Sequence, residues 1–169
     1  EFGRAAEPDY SGPLGDRWRK NKARARAILE LFDNDLGPKM SARNKLFVMN
    51  YYLAVFAECT DSKAALAIFK KEFPKRGLRP NSFTYETMIR MQVRRKDIAG
   101  ATELYDMMRA QEIKPSSDTF GILINALTSR NQIVEALKVL EEAAYAKVKV
   151  RHRYVNLLRS RCRKLKVRH

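Results

Sequence analysis

The sequence predicts an all-α fold made of repeated helical hairpins. Similar segments recur at an interval of 35 residues, so that Pro80 returns as Pro115 and Ala101 returns as Ala136. Each unit holds two segments with apolar residues at helical spacing, and no stretch shows the alternation with a period of two that a strand would need. A helical hairpin of this size cannot bury its apolar face alone, so the repeats are expected to stack into a solenoid.

The N-terminal residues precede the full repeats. Residues 1–16 contain three glycines and two prolines with little apolar periodicity, which predicts an extended N-terminal tail. Residues 17–46 are expected to form a basic helix and half of a repeat. Asp16 is the expected N-cap of that helix, and Gly37-Pro38 is expected to end it.

Three full repeats are predicted after this segment, and a partial fourth repeat with a basic tail follows them. The predicted repeats are residues 47–82, 83–117 and 118–152, and the last segment is 153–169. Pro80 and Pro115 separate successive repeats, because proline interrupts the hydrogen bonding of a helix backbone. Within the second repeat, Asp97 is the expected N-cap of the second helix.

A small residue occupies the same place in the second helix of each repeat. Alanines at positions 65, 101 and 136 should let the two helices of each hairpin approach closely. The interval from Ala65 to Ala101 is 36 residues instead of 35. We expect the extra residue to lie in the loop at residues 74–77.

Nearly all of the net charge lies in two clusters. The chain has 34 Lys and Arg against 19 Asp and Glu, a net charge of +15. Residues 17–26, the N-terminal basic cluster, hold six basic residues and no acidic one, while residues 147–169, the C-terminal basic cluster, hold ten and none. The rest of the chain is close to neutral. A solvated helix face would explain one such cluster, but two of them favour a polyanionic partner, for which nucleic-acid phosphate is the natural candidate.

Several other functional classes are excluded by composition. Apolar runs are far shorter than the roughly 20 residues of a membrane-spanning helix, and neither basic cluster has the broad apolar face of a membrane-surface helix. Cys59 and Cys162 form no CxxC pair, and neither His152 nor His169 has a carboxylate nearby in sequence. There is no glycine-rich phosphate loop and no HExxH motif. We therefore expect no catalytic residues, no metal, no cofactor and no small-molecule substrate.

Residues from about 47 to 165 resemble the pentatricopeptide repeat (PPR) family. The resemblance is carried by Phe83-Thr84-Tyr85 at the start of a helix, by the segment ATELYDMM at residues 101–108, and by Ile113-Lys114-Pro115 at the end of the unit. Tetratricopeptide repeats have a period of 34 and a Gly-Tyr pattern that this chain lacks. The resemblance implies a right-handed α-solenoid that binds RNA, in a family whose members act mostly in mitochondria and chloroplasts.

The resemblance also implies positions that could read bases. Sequence-specific family members use a polar residue of the first helix together with the residue after the closing proline, about one base per repeat. By position, the pairs here are Asn50 with Asn81, Glu86 with Ser116, and Gly121 with Arg151. Only Asn50 with Asn81 matches a family pair, one used for pyrimidines, because Glu86 would place a carboxylate near nucleic acid and Gly121 has no side chain. Because only one of the three pairs matches the family pattern, we expect the chain to bind the RNA backbone and not to read bases.

The functional hypothesis is therefore a non-catalytic structural component of a mitochondrial ribosome, located in the matrix, with the chloroplast as the alternative location. Its partners would be rRNA and neighbouring ribosomal proteins. Trp18 and Tyr154 are candidates for stacking on bases, although both could instead pack into the ends of the solenoid. The expected phosphate-binding residues are Arg17, Arg19, Lys20, Lys22, Arg24, Arg26, Arg151, Arg153, Arg159, Arg161, Arg163, Lys164, Lys166 and Arg168. A free organellar RNA-processing or translation factor and a protein-binding helical scaffold are the two alternatives.

Overall fold

The computed structural model describes residues 13–59 and 61–166, and within these ranges every regular element is a helix. The α-helices are α1 (Pro13–Leu31), α2 (Ala42–Glu58), α3 (Ser62–Ala67), α4 (Phe73–Lys75), α5 (Ser82–Arg94), α6 (Ile98–Ala110), α7 (Ser117–Ser129), α8 (Ile133–Tyr145) and α9 (His152–Lys166). The chain divides into two compact units, residues 1–80 and 81–169. In the described part of the chain, no helix has both the length and the apolar character needed to cross a bilayer.

The first helix begins earlier than the sequence suggested. α1 starts at Pro13, so residues 13–16 of the expected tail are helical, and residues 1–12 lie outside the described residues. Proline is well tolerated in a first helical turn, where its missing N–H would have had no helical partner. Asp16 is therefore inside the first turn instead of capping it, and its carboxylate pairs with Arg19. After Leu31 the chain widens into a π-helical turn, Phe32–Leu36, and then tightens into a 3-10 turn, Gly37–Lys39.

The first full hairpin holds its extra residue inside a helix. α2 begins at Ala42, five residues before the expected boundary, because the Ser41 hydroxyl caps it by accepting from the Asn44 N–H at 3.3 Å. α3 continues through a π-helical turn, Ile68–Glu72, into α4. A π-helical turn takes up one more residue than an α-helical turn, so the additional residue lies here and not in the loop at 74–77. Pro74, which cannot donate to the carbonyl of residue 70, lies just beyond that turn.

The second unit contains two complete hairpins and a final helix. α5 packs on α6 and α7 packs on α8, while α5 also contacts α7 and α7 also contacts α9. The first helices of successive repeats therefore lie side by side in one layer. α6 and α8 form the other layer, and each contacts the first helix of the next repeat as well as its own.

Side-chain caps define where these helices begin. Asn81 and Thr84 form a reciprocal capping box at the start of α5, and Ser116 and Thr119 form the same box at the start of α7. As a result, α5 and α7 each begin one residue before the expected repeat boundary. Asp97 caps α6, as predicted, by accepting from the Gly100 N–H at 2.9 Å.

The core consists of the predicted apolar faces. On α5 the side chains of Tyr85, Met88 and Ile89 have no exposed surface. The alanines at 65, 101 and 136 are also fully buried, as their spacing predicted. Small residues at these positions let the two helices of each hairpin pack closely.

Candidate nucleic-acid interface

Part of the N-terminal basic cluster forms an exposed row along α1. Arg17, Lys20 and Arg24 are exposed and recur at helical spacing, and they line a shallow cleft together with Asp16 and Asn21. Within the described part of the chain, none of these three cations lies within ion-pair distance of a carboxylate. The row is therefore available to an anionic ligand.

Two other cations of the same cluster have structural partners instead. The ammonium of Lys22 donates to Asp61 Oδ2 at 2.7 Å, and its side chain is only 14% exposed. It lies 5.8 Å from the centroid of the Phe56 ring, and the guanidinium of Arg26 lies 5.7 Å from the same centroid. Because Phe56 belongs to α2 and Asp61 precedes α3, these contacts attach α1 to the following hairpin. Lys22 is therefore reassigned from phosphate binding to the packing of the first unit.

Trp18 and the residues of the expected base-reading pair lie in more enclosed surroundings than their proposed roles require. Trp18 on α1 is half-buried, and Asn50 on α2 is 6% exposed. Asn81 caps α5, because its Oδ1 accepts from the Thr84 N–H at 3.0 Å and from the Thr84 hydroxyl at 2.9 Å. The acceptor oxygen of Asn81 is thus engaged by its own helix.

At the second reading position, the carboxylate of Glu86 is fully engaged within the protein. Ser116 donates its hydroxyl to Glu86 Oε2 at 2.7 Å, and Arg90 donates to Glu86 Oε1 at 2.7 Å. The two residues of this predicted reading pair, Glu86 and Ser116, therefore bond to each other. Neutralisation by Arg90 also reduces the repulsion that Glu86 would otherwise exert on a phosphate.

At the third reading position, a tyrosine ring fills the space in front of Gly121. A Cβ placed on Gly121 would lie 2.3 Å from Cε2 of Tyr154, so only glycine admits this ring. Arg153 covers the ring with its guanidinium carbon 4.5 Å from the centroid. Tyr154 is half-buried, in agreement with the alternative in which its ring packs into the protein and does not stack on a base. Arg151 pairs with Asp118 at 3.0 Å.

α9 carries the largest group of unpaired cations in the second unit. Leu158 is buried and Cys162 is half-buried, so one side of the helix packs against the unit. After Leu158, the exposed basic residues of α9 without a carboxylate within ion-pair distance, among the residues described, are Arg159, Arg161, Arg163 and Lys164. Nothing is described of the Lys166 side chain, and Arg168 lies outside the described residues. Arg159 and Arg163 are one turn apart and therefore share a face.

The described residues offer no arrangement typical of a metal centre. No group of three or more His, Cys, Asp and Glu side chains in these ranges could hold a metal ion. Cys59 is buried, and burial raises the pKa of its thiol. A raised pKa disfavours the thiolate that a nucleophile or a metal ligand would need.

Comparison with known proteins identifies the repeats. Residues 80–129 match the model described as the PPR repeat family, and residues 118–144 match the PPR repeat model. Residues 80–144 therefore contain pentatricopeptide repeats. No curated protein shows significant sequence similarity to it.

Solved structures of PPR proteins share its fold. Maize PPR10 has a TM-score of 0.67 at 19% identity, over 86% of this chain and 20% of its own. PPR10 in complex with an 18-nt psaJ RNA element has a TM-score of 0.58 at 20% identity, over 86% and 21%. The PPR domain of Arabidopsis thaliana protein-only RNase P 1, in complex with tRNA, has a TM-score of 0.61 at 18% identity, over 90% and 80%. The chain thus spans about a fifth of the length of the PPR10 chains, and identities this low establish the fold alone.

Gly121→Ala is expected to lower the free energy of unfolding of this protein by about 1–2 kcal/mol. The new methyl group displaces the Tyr154 ring, and the higher helix propensity of alanine offsets about 1 kcal/mol of that cost. Urea unfolding followed by circular dichroism measures the change. In a Tyr154→Ala background the same substitution should be neutral or stabilising, and an equal cost in both backgrounds would contradict the contact.

Asp61→Asn tests the ion pair of Lys22 with Asp61, which connects α1 to the first hairpin. Burial opposes ionisation of Asp61, but hydrogen bonds from Lys22 and from the Ala64 N–H outweigh it and lower the pKa of the carboxyl below 3.8. A lowered pKa stabilises the fold above the ordinary pKa of the group, and this contribution is lost as the pH falls through the folded-state value. We expect a loss of about 1 kcal/mol at neutral pH, since the pair is partly solvated.

The loss should shrink when unfolding by urea is repeated at pH values falling below the ordinary pKa of an aspartate, because the wild-type carboxylate then takes up a proton and the ion pair is lost. Asp16→Asn is the matched control, because the pair of Asp16 with Arg19 is exposed and contributes little. A difference between wild type and Asp61→Asn that stays constant with pH would exclude the ion pair as its cause.

Proposed function

We propose that this protein binds RNA chiefly through the phosphate backbone and that it is a non-catalytic structural component of a mitochondrial ribosome. The observation that carries the RNA-binding proposal is the set of four exposed cations that follow Leu158 on α9 and have no ion-pair partner among the described residues, namely Arg159, Arg161, Arg163 and Lys164. Cations held on a rigid helix can replace the counterions of several phosphates at once. The exposed row of Arg17, Lys20 and Arg24 on α1 offers a second group of the same kind.

The state of the reading positions supports backbone contact over base reading. Glu86 is engaged by Ser116 and Arg90, and the space in front of Gly121 is filled by Tyr154. Base discrimination needs donors and acceptors that are free to pair with base edges. Phosphate contacts have no such requirement, and they act on any sequence.

The comparisons favour RNA as the polyanion. PPR10 was solved with an RNA element and the PPR domain of RNase P 1 with tRNA. An RNA ligand for this chain is proposed on the likeness of fold together with its own exposed cations. Outside the two basic clusters, 18 Lys and Arg stand against 19 Asp and Glu, so the rest of the chain is close to neutral, which suits contacts with neighbouring proteins in a large particle.

The ribosomal part of the proposal rests on this division of charge. A ribosomal component must hold rRNA backbone firmly without selecting a short sequence, and it must pack on protein neighbours at the same time. Two basic helices with a nearly neutral body meet both requirements. The mitochondrial matrix is the proposed location, in accordance with the habit of the family.

Arg159→Gln with Arg163→Gln should weaken the binding of random-sequence single-stranded RNA and should do so equally for all sequences. Removal of two phosphate contacts is expected to reduce the slope of log K against log salt by about 1.4. Fluorescence anisotropy at several salt concentrations measures both quantities. The matched control is Lys114→Gln with Lys138→Gln, which removes two exposed cations outside the basic clusters. An equal loss in the control, or salt-insensitive binding of one short sequence, would contradict backbone binding.

Sedimentation of a mitochondrial extract separates the ribosomal role from a free RNA-binding role. We expect the full-length protein to migrate with a ribosomal subunit and to remain there at high salt, because an integral component is held by many rRNA and protein contacts. Recovery in the light fractions at low salt would overturn the ribosomal proposal and favour a free RNA-processing or translation factor. The RNA-binding measurement above is independent of this outcome.

A further inference from the structure

The outer face of α8 carries an exposed apolar stripe that the proposed RNA binding does not use. Val134 is 62% exposed, Leu137 is 46% exposed and Tyr145 is 93% exposed. Spacings of three and eight residues place these side chains on one side of the helix, with Glu141 between Leu137 and Tyr145. The stripe therefore runs along the whole length of α8.

The neighbouring repeat shows that the fold does not require this stripe. Thirty-five residues earlier, α6 carries Ala99, Thr102 and Ala110 at the positions of Val134, Leu137 and Tyr145. α6 packs within its own hairpin as α8 does, and the fully buried Ala101 corresponds to the fully buried Ala136. Large apolar residues that are exposed on one repeat, at positions where the preceding repeat has small or polar residues, indicate an interaction surface.

The charge around the stripe indicates what would cover it. α8 holds three glutamates and one lysine, the reverse of the balance in the whole chain. Glu135 and Glu141 are exposed and pair with no cation among the described residues, whereas Glu142 bonds to Tyr105 and Arg109. The two unpaired carboxylates outnumber Lys138, the one exposed cation of α8, so the surface around Leu137 disfavours RNA phosphate and attracts Lys or Arg.

A shallow cleft beside the stripe gives the surface a concave edge. Its lining includes Tyr105, Phe120, Glu141 and Tyr145, all from the second unit. The rings of Tyr105 and Phe120 meet edge to face at 6.1 Å, and Tyr105 donates to Glu142 Oε2 at 2.5 Å. Burial and the neighbouring carboxylate raise the pKa of Tyr105, so its hydroxyl keeps its proton and the wall of the cleft stays fixed.

We propose that the outer face of α8 docks a basic amphipathic helix of a partner protein. Apolar residues at positions i, i+3 or i+4 and i+7 of that helix would cover Val134, Leu137 and Tyr145. Lys or Arg on its flanks would pair with Glu135 and Glu141. This is the arrangement by which amphipathic helices are generally recognised on apolar faces. The inference goes beyond the proposed function and does not depend on RNA binding.

The experiment uses the full chain and two synthetic peptide helices of about 18 residues, or five turns. One peptide has leucines at the stated spacing with Lys and Arg flanks, and the other has the same leucines with every basic residue replaced by glutamate. Fluorescence anisotropy should show binding of the basic peptide only. Val134→Ala with Leu137→Thr and Tyr145→Ala gives α8 the residues of α6, and it should weaken binding at least about tenfold.

The charge contribution is tested separately by Glu135→Gln with Glu141→Gln, which should weaken binding several-fold and reduce its salt dependence. Arg159→Gln with Arg163→Gln is the matched control and should leave peptide affinity unchanged. In turn, the α8 triple variant should bind random-sequence RNA like the wild type. Circular dichroism unfolding confirms that each variant is folded.

Three results would overturn the proposal. Equal binding of the acidic peptide would mean that the stripe binds any apolar helix. Undiminished binding of the basic peptide to the triple variant would place its site elsewhere. A dimer in sedimentation equilibrium that the triple variant abolishes would mean that a second copy of this chain covers α8.

Discussion

The structure depends on close contact between the two helices of each hairpin. Ala65, Ala101 and Ala136 have no exposed surface, and any larger side chain at these positions would separate the helices. Because a single hairpin leaves half of its apolar surface uncovered, α5, α7 and α9 must lie side by side in the second unit. This one constraint produces two surfaces, one formed by first helices and the other by second helices, and each can carry a different chemistry.

Some cations of the chain hold helices together, whereas others are exposed and available to a ligand. The spacing of the basic residues along the sequence does not distinguish the two groups. Lys22 and Arg26 are as basic as Arg17 and Arg24 and belong to the same helix. Yet Lys22 is held by Asp61 and the Phe56 ring, whereas Arg24 is exposed to solvent. On α9 the side that faces the unit is apolar, and Arg159, Arg161 and Arg163 are exposed to solvent.

The repeats differ from one another at the surface more than in the core. At the base-reading position of the second repeat, Arg90 and Ser116 bond to the Glu86 carboxylate. At the same position of the third repeat, the Tyr154 ring fills the space in front of Gly121. The third repeat also replaces the small residues of the outer face with Val134, Leu137 and Tyr145. Buried positions are constrained by packing density and vary little, whereas exposed positions are free to acquire a partner.

The sequence by itself determined the all-α class, the 35-residue repeat, its resemblance to pentatricopeptide repeats, the small buried residues of the second helices and the N-cap of α6. These follow from periodicity and local hydrogen bonding, which depend on residues close in the chain. Only the tertiary structure decided that Lys22 pairs with Asp61, that Tyr154 fills the space at Gly121, and that the extra residue lies in a π-helical turn. Residues 39 and 33 positions apart make the first two contacts, and a spacing rule within one helix carries no information about such partners.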